Sequence, residues 1–294
     1  MLRKLFKHDF YALSRLLIPT NLAVLVATIF ASLGFAYTIR NSFGGATEGV
    51  FFDMLQIIVT LLMGLMFVAI FAAYFFIAFV IFHRFYSHFI GNEGYLTFTL
   101  PVKTSQLLWS KILSAMLWLI ISAVVGIICF FLFILFGTAE IGIINVDVLR
   151  VIGEGFAALR EIYVGEITVF IILTVIVSVV GSVSGILQIY LSLVMGGVVS
   201  QKHKLAAGIG FYFLLNLVVG TITSTLQTFI MVPWMQTDVL DSINYGNNAQ
   251  EGISAVFGTL VNPILIYSIV VAAVLSVGYY CLTHYLLKNK LNLE

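Results

Sequence analysis

The sequence predicts an all-α integral membrane protein that forms one transmembrane domain over residues 1–294. Hydrophobic residues make up 61% of the chain, charged residues only 9%, and the mean hydropathy is +1.12. A soluble globular domain carries about 25% charged residues, so this composition indicates a membrane protein. The apolar runs are long and contain few prolines, whereas a transmembrane barrel needs short strands with alternating apolar and polar residues. These observations predict a helical bundle.

Six stretches without Asp, Glu, Lys or Arg predict six transmembrane helices. Each stretch is at least as long as the roughly 20 residues that a helix needs to cross a bilayer. The predicted spans are residues 16–39, 54–82, 112–136, 167–199, 205–232 and 261–282.

Basic residues predict the orientation of these spans. Connections on the side of the N terminus hold 11 Lys or Arg residues, and those on the other side hold 3. Acidic residues are distributed the other way, with 3 and 10. Because basic loops stay in the cytoplasm, we expect both termini and residues 83–111 to be cytoplasmic. Residues 137–166 and 233–262 are then extracellular loops.

Residues 1–18 predict an amphipathic helix that lies in the cytoplasmic membrane interface. Apolar residues recur there at helical spacing, and Arg3, Lys4, Lys7 and Arg15 offer positive charges to anionic lipids. Pro19 is expected to end this helix before the first span begins. An alternative is that the basic cluster only sets the membrane topology. A cleaved signal peptide is disfavoured, because the following apolar run exceeds 20 residues.

The second span is long and rich in Met and Phe. As a helix, residues 53–83 would rise about 45 Å against a hydrocarbon core of about 30 Å, so the span should tilt or protrude. Its flexible and aromatic side chains suit a permissive apolar pathway, although ordinary packing or lipid contact gives the same pattern. The candidate pathway residues are Phe67, Phe71 and Phe75, together with Asn216 in the fifth span.

The later elements carry local signals. Thr104 or Ser105 can cap the third span, and Asp147 begins a pattern typical of a short amphipathic helix on the outer surface. Small residues at positions 178, 181, 182 and 185 predict close helix packing in the fourth span. Hydroxyl side chains in the fifth span favour contacts between helices over substrate contact. Residues 231–263 are compatible with a re-entrant or surface hairpin.

Residues 83–111 form the longest connection on the predicted cytoplasmic side, yet the middle of this 83–111 segment is apolar. The part between Gly94 and Pro101 is too short to cross a bilayer, so it should lie beside the membrane. An exposed apolar patch of this kind usually binds a partner. Its large apolar residues are Phe89, Ile90, Tyr95, Leu96, Phe98 and Leu100.

Several function classes are disfavoured by what the sequence lacks. No acidic residue, Lys or Arg falls within a predicted span, although ion-coupled carriers normally need ionisable groups there. Motifs of metalloproteases, serine hydrolases and P-loop ATPases are absent, so we expect no catalytic or metal-binding residue. Cys129 and Cys281 lie toward opposite leaflets and should not pair. A net charge of +1 gives no indication of nucleic-acid binding.

The 83–111 segment resembles one region of the export-type (type-2) permease family, the membrane subunits of ATP-binding cassette transporters. In that region an Arg precedes a Gly-Tyr-Leu-x-x-x-Leu-Pro stretch, and a Lys opens the third span. The matching residues here are Arg84, Gly94, Tyr95, Leu96, Leu100, Pro101 and Lys111. The six spans and the interfacial N-terminal helix also resemble that family. The loop between the third and fourth spans departs from it, being longer and more acidic than a minimal member needs.

What the resemblance implies is a permease subunit, not itself an enzyme, of an ATP-driven exporter in a bacterial plasma membrane. It implies two separate ATPase subunits that bind ATP and Mg, and a second permease subunit that is identical or paralogous. This chain would hold no cofactor, and its remaining partners would be membrane lipids. The residues expected to contact the ATPase are Arg84, Glu93, Gly94, Tyr95, Leu96, Leu100 and Pro101.

The second span favours a hydrophobic or amphipathic cargo. The alternative function is a non-transporting membrane scaffold, or a sensor subunit of a resistance or stress module. Such a protein would use the 83–111 segment as a passive contact.

Overall fold

Six long helices confirm the predicted fold class in this computed structural model, which describes residues 2–43, 50–91, 94, 102–139, 147–200, 202–234 and 261–289. Each helix includes a stretch long and apolar enough to cross a membrane, and no strand occurs within these ranges. The chain is therefore a multi-pass, all-α membrane protein. The helices are α1 (Leu2–Phe43), α2 (Val50–Phe89), α3 (Thr104–Ala139), α4 (Asp147–Val199), α5 (Lys204–Trp234) and α6 (Asn262–Asn289).

Two compact units divide the chain. The first, here called the loop unit, comprises Met1–Leu2, Arg84–Ile112 and Phe156–Glu294. It holds the 83–111 segment apart from His83, most of α4, and all of α5 and α6. The second, here called the N-terminal unit, comprises Arg3–His83 and Leu113–Gly155. It holds nearly all of α1, most of α2 and most of α3.

In the N-terminal unit, α1 buries two stripes of residues that each repeat every seven positions. One stripe is apolar and the other is polar, and the two are offset by three residues as in the a and d positions of a heptad. The polar stripe contributes a contact to α3, where the Asn21 amide donates to the Ser122 hydroxyl at 3.3 Å. The buried residues are Leu17, Val24 and Ala31 in the apolar stripe and Ser14, Asn21 and Thr28 in the polar one.

The predicted helix end at Pro19 is wrong, because α1 continues through this residue without a break. Proline lacks an amide hydrogen and therefore removes one backbone hydrogen bond from the helix. Nearby side chains add bonds to the same turn: Thr20 donates to the Leu16 carbonyl at 2.7 Å, and Asn21 donates to the Leu17 carbonyl at 2.8 Å. Such local replacement is how transmembrane helices tolerate proline.

All six helices are longer than their predicted spans, and the extra length of α2 and α4 changes the connections beside them. α2 has 40 residues, which corresponds to about 60 Å, and its end lies at Phe89 rather than near residue 82. α4 has 53 residues, or about 80 Å, because the helix expected to begin at Asp147 continues directly into the fourth span. Residues 83–89 and 104–111 of the 83–111 segment are therefore helical. Most of the predicted hairpin, residues 235–260, lies outside the described residues.

In the loop unit, α4 and α5 cross at two glycines. The short connection between these helices is closed by the Ser200 hydroxyl, which accepts a hydrogen bond from the His203 amide at 3.2 Å. A Cβ atom built on Gly196 would overlap the backbone of Gly208, so only glycine fits at this crossing. The close packing predicted for the small residues of the fourth span is not found at its glycines. A Cβ atom on Gly181 or Gly185 would meet nothing within 4 Å.

We expect the substitution Gly196→Ala to lower the free energy of unfolding by about 1–3 kcal/mol, because the added methyl group would separate α4 from α5. Gly185→Ala on the same helix is the matched control. It should change the free energy of unfolding by no more than about 1 kcal/mol, and toward higher stability, because alanine is the better helix former. Equilibrium unfolding in mixed micelles measures both values. Equal stability of the two variants would contradict the observed crossing.

Candidate functional site

The 83–111 segment is described at both ends and at Gly94, and these parts belong to the loop unit from Arg84 onward. Arg84 lies on the last turns of α2 and is half-buried, and Gly94 is buried. The other residues assigned to ATPase contact lie outside the described residues. They are Glu93, Tyr95, Leu96, Leu100 and Pro101. The contacts that can be described for this segment are therefore those at its two ends and at Gly94.

The end of α2 is held in an aromatic core. The rings of Phe85 and Tyr190 are nearly parallel, at an interplanar angle of 7° and with centroids 3.7 Å apart. Phe89 extends the stack, since its ring centroid lies 4.8 Å from that of Phe85. Phe85, Phe89 and Tyr190 are each no more than 1% exposed. This core joins α2 to α4, and sequence reasoning did not identify Tyr190.

Two residues of the predicted docking patch are part of this buried core. Phe89 is 0% exposed and Ile90 is 2% exposed, so the prediction that they wait for an external partner is wrong. The reason is that α2 continues to Phe89, whose ring stacks on that of Phe85, and Ile90 follows directly in the buried turn that ends the helix. The apolar residues left for a partner are Tyr95, Leu96, Phe98 and Leu100, all outside the described residues.

Backbone hydrogen bonds end α2 at a glycine. The amides of Ile90 and Gly91 both donate to the Tyr86 carbonyl, at 2.9 and 2.8 Å. A Cβ atom on Gly91 would lie 3.1 Å from the Ser87 carbonyl oxygen, so this position favours glycine. The Gly94 amide then donates to the Gly91 carbonyl at 2.9 Å. The chain therefore leaves α2 through a tight, hydrogen-bonded turn.

The other end of the segment is anchored to α6. The Lys103 carbonyl accepts the first hydrogen bonds of α3, and the Thr104 hydroxyl lies 3.3 Å from His284 Nε2. Trp109 lies beside Tyr280, with ring centroids 5.5 Å apart. Neither predicted cap, Thr104 or Ser105, precedes the helix, since both lie within α3, and the Thr104 side chain contacts α6 instead. Both ends of the segment are fixed to helices of the loop unit.

The candidate pathway residues on α2 differ in their surroundings. Phe71 and Phe75 are 78% and 77% exposed. Phe67 is partly packed against Phe133, with ring centroids 5.5 Å apart. Helical spacing places Phe71 and Phe75 on the same face as Asp53, some five turns away.

At the Asp53 end of this face, α2 borders an open groove of about 440 Å³. Its described lining residues are Asp53, Gln56, Ile57, Thr60 and Leu61. One continuous face of α2 therefore carries polar groups at one end and aromatic rings at the other.

The polar side chains of α5 bond mainly to their own helix. Asn216 is exposed, and its amide donates to the Tyr212 carbonyl at 2.9 Å. Hydroxyl groups farther along the helix donate to carbonyls three or four residues earlier. The expected contacts between helices are made differently, because it is the Tyr267 hydroxyl of α6 that donates to the Thr223 carbonyl at 2.8 Å. An exposed polar face remains on α5.

No group of three or more His, Cys, Asp or Glu side chains that could hold a metal ion occurs in the described part of the chain.

We expect a cysteine at Ile90 to react slowly with a maleimide, because the side chain lies in the buried core and must wait for local opening. The control is His83→Cys, whose side chain is exposed. Both are made in a chain without Cys129 and Cys281 and are measured on the purified, folded protein. The Ile90→Cys reaction should be at least about tenfold slower. Equal rates would show that this end of the segment is open.

Comparisons with known proteins identify no relative of this chain. No family model, no curated protein and no solved structure matches it. The resemblance to export-type permeases therefore rests on the 83–111 segment and on the arrangement of spans. The case for a function depends on the residues and contacts described above.

Proposed function

We propose that this chain is the membrane-spanning permease subunit of an ATP-driven exporter, and that a separate ATPase docks on its 83–111 segment. The observation that supports this most directly is the anchoring of the segment at both ends. At one end, Phe89 stacks on Phe85, which faces Tyr190 of α4. At the other end, Thr104 and Trp109 contact α6. A segment fixed at both ends can transmit the movement of a docked protein into the helices.

The sequence contains no P-loop, which fits a permease subunit whose ATP is hydrolysed by a separate protein. Two ATPase subunits would bind ATP and Mg, and a second permease subunit, identical or paralogous, would complete the pathway. ATP binding would then shift the permease between inward-open and outward-open states, provided that the two states differ in their affinity for the closed ATPases. The expected location is a bacterial plasma membrane.

A hydrophobic or amphipathic cargo is supported by the exposed face of α2. Phe71 and Phe75 offer adaptable aromatic surface along the span, and Asp53, Gln56 and Thr60 line the groove at the far end of the same face. A molecule with an apolar body and a polar group would find both kinds of contact along this one face.

We expect Tyr95→Asp or Leu100→Asp to abolish co-purification of the ATPase, because a carboxylate in an apolar docking surface must be desolvated without a partner. Lys202→Asp, in the connection between α4 and α5, is the matched control and should leave co-purification unchanged. Membrane insertion should be the same for all three variants, as measured by carbonate extraction. Normal recovery of the ATPase with both segment variants would refute the docking assignment.

We expect the double substitution Phe71→Ala and Phe75→Ala to lower ATP-dependent export of an apolar dye from cells, since the pathway would lose two aromatic contacts. Phe130→Ala is the control, because Phe130 on α3 is 64% exposed but lies on another helix. The assay compares dye efflux at equal amounts of protein in the membrane. Equal efflux from all variants would assign Phe71 and Phe75 to lipid contact. A scaffold would show no ATP-dependent efflux at all.

A further inference from the structure

We propose that Tyr190 is a positioning residue that makes the base of the 83–111 segment, α4 and α5 move as one rigid body. The inference rests on the proposed function, in that the movement to be transmitted would come from the docked ATPase. It goes further by assigning the route: from the end of α2 through Tyr190 into α4, and from α4 through a glycine crossing into α5.

The first link is the face-to-face contact between Phe85 and Tyr190. Two rings at 3.7 Å and 7° cannot slide or tilt without losing contact or colliding with their surroundings. Solvent is excluded around this contact, and Tyr190 is the largest fully buried side chain among the described residues. Residues of α4 on either side of it are also buried, and they are Ile186, Leu187, Leu191 and Val194. A displacement of the end of α2 must therefore displace α4.

The second link lies six residues farther along α4, at about 9 Å along the helix axis. There Gly196 meets the backbone of Gly208 on α5 with no room for a side chain. Leu193 of α4 also packs against Gly208, since one of its methyl carbons would lie 3.0 Å from a Cβ atom built on that glycine. Backbones in such close contact cannot shift far relative to one another, because no flexible side chain lies between them.

The last helix in the proposed path of movement, α5, has exposed polar side chains. α5 exposes four hydroxyl side chains on one face, at positions 221, 224, 225 and 228, and the exposed Asn216 lies to one side of that face. The four hydroxyl groups donate to carbonyls of their own helix, so this face can meet either lipid or a polar cargo without an unpaired hydroxyl donor. The exposed polar residues are Asn216, Thr221, Ser224, Thr225 and Thr228. Movement of α5 as part of the rigid body would reorient this face during each ATP cycle.

A distance measurement on the chain alone tests the rigid body. Spin labels are placed at Ser87→Cys, near the end of α2, and at Val199→Cys, at the end of α4, in a chain without Cys129 and Cys281. Tyr190→Phe retains the stacked ring, whereas Tyr190→Leu removes the ring but keeps an apolar side chain. We expect a narrow distance distribution in lipid nanodiscs for the parent and for Tyr190→Phe, and a clearly broader one for Tyr190→Leu. A narrow distribution for Tyr190→Leu, or a broad one for the parent, would overturn the proposal.

A second measurement tests the transmission. A single spin label at Thr225→Cys reports on α5 in the complex with the ATPase that co-purifies with the parent chain. ATP with vanadate should change the spectrum of the parent and of Tyr190→Phe. For Tyr190→Leu the change should be lost, while ATPase co-purification and basal ATP hydrolysis remain. A retained spectral change in Tyr190→Leu would overturn the transmission role.

The two measurements separate the inference from the proposed function. If no ATPase co-purifies with the parent chain, the proposed function is overturned and the transmission role of Tyr190 with it. The distance distributions would still decide whether Tyr190 joins the end of α2 to α4. A folding defect in Tyr190→Leu would show as loss of monodisperse protein, and Phe85→Leu, which removes the ring on the other side of the stack, then provides the same test.

Discussion

Hydrocarbon offers no hydrogen-bond partner to a peptide group, and most of the local structure of this chain answers that constraint. The six long helices satisfy their amides and carbonyls internally. Hydroxyl side chains in α4 and α5 turn back to carbonyls of their own helices, as Ser178 does to Thr174 at 2.8 Å. Even Pro19 sits inside a helix, where Thr20 and Asn21 supply side-chain bonds to the carbonyls of the preceding turn. Because these hydrogen bonds lie within each helix, they do not determine which neighbours the side chains contact.

Polar residues are used in opposite ways in the two units. In the N-terminal unit, α1 turns its polar stripe inward, and Asn21 contacts Ser122 of α3. A buried amide of this kind fixes the register between helices, although such bonds contribute only about 0.6 kcal/mol on average within a membrane. In the loop unit, α5 leaves its polar face exposed. The inward stripe is thus explained by helix packing, while the outward hydroxyl groups of α5 bond to carbonyls of their own helix.

The 83–111 segment combines a buried base with a middle that is apolar in sequence. Its base includes the buried residues Phe89 and Ile90, so the proposed docking surface is smaller than the sequence suggests. Close packing at Gly196 and Gly208 joins α4 to α5. A transporter driven by an external ATPase needs both properties, because docking without a firm base would transmit no movement.

The sequence by itself determined the fold class and the number of helices, because hydropathy and length reflect transfer into lipid, which each segment undergoes largely on its own. It also identified the 83–111 segment as the unusual connection. Only the tertiary structure decided which apolar residues are buried: the sequence does not distinguish Phe89 and Ile90 from their apolar neighbours, yet both are buried, and Phe89 stacks on Phe85, which in turn faces Tyr190 of α4. The same holds for glycine, since Gly185 and Gly196 lie in one apolar run, yet only Gly196 meets another backbone. In a chain where most residues are apolar, composition cannot separate lipid contact from protein contact, and that distinction depends on which helix lies alongside.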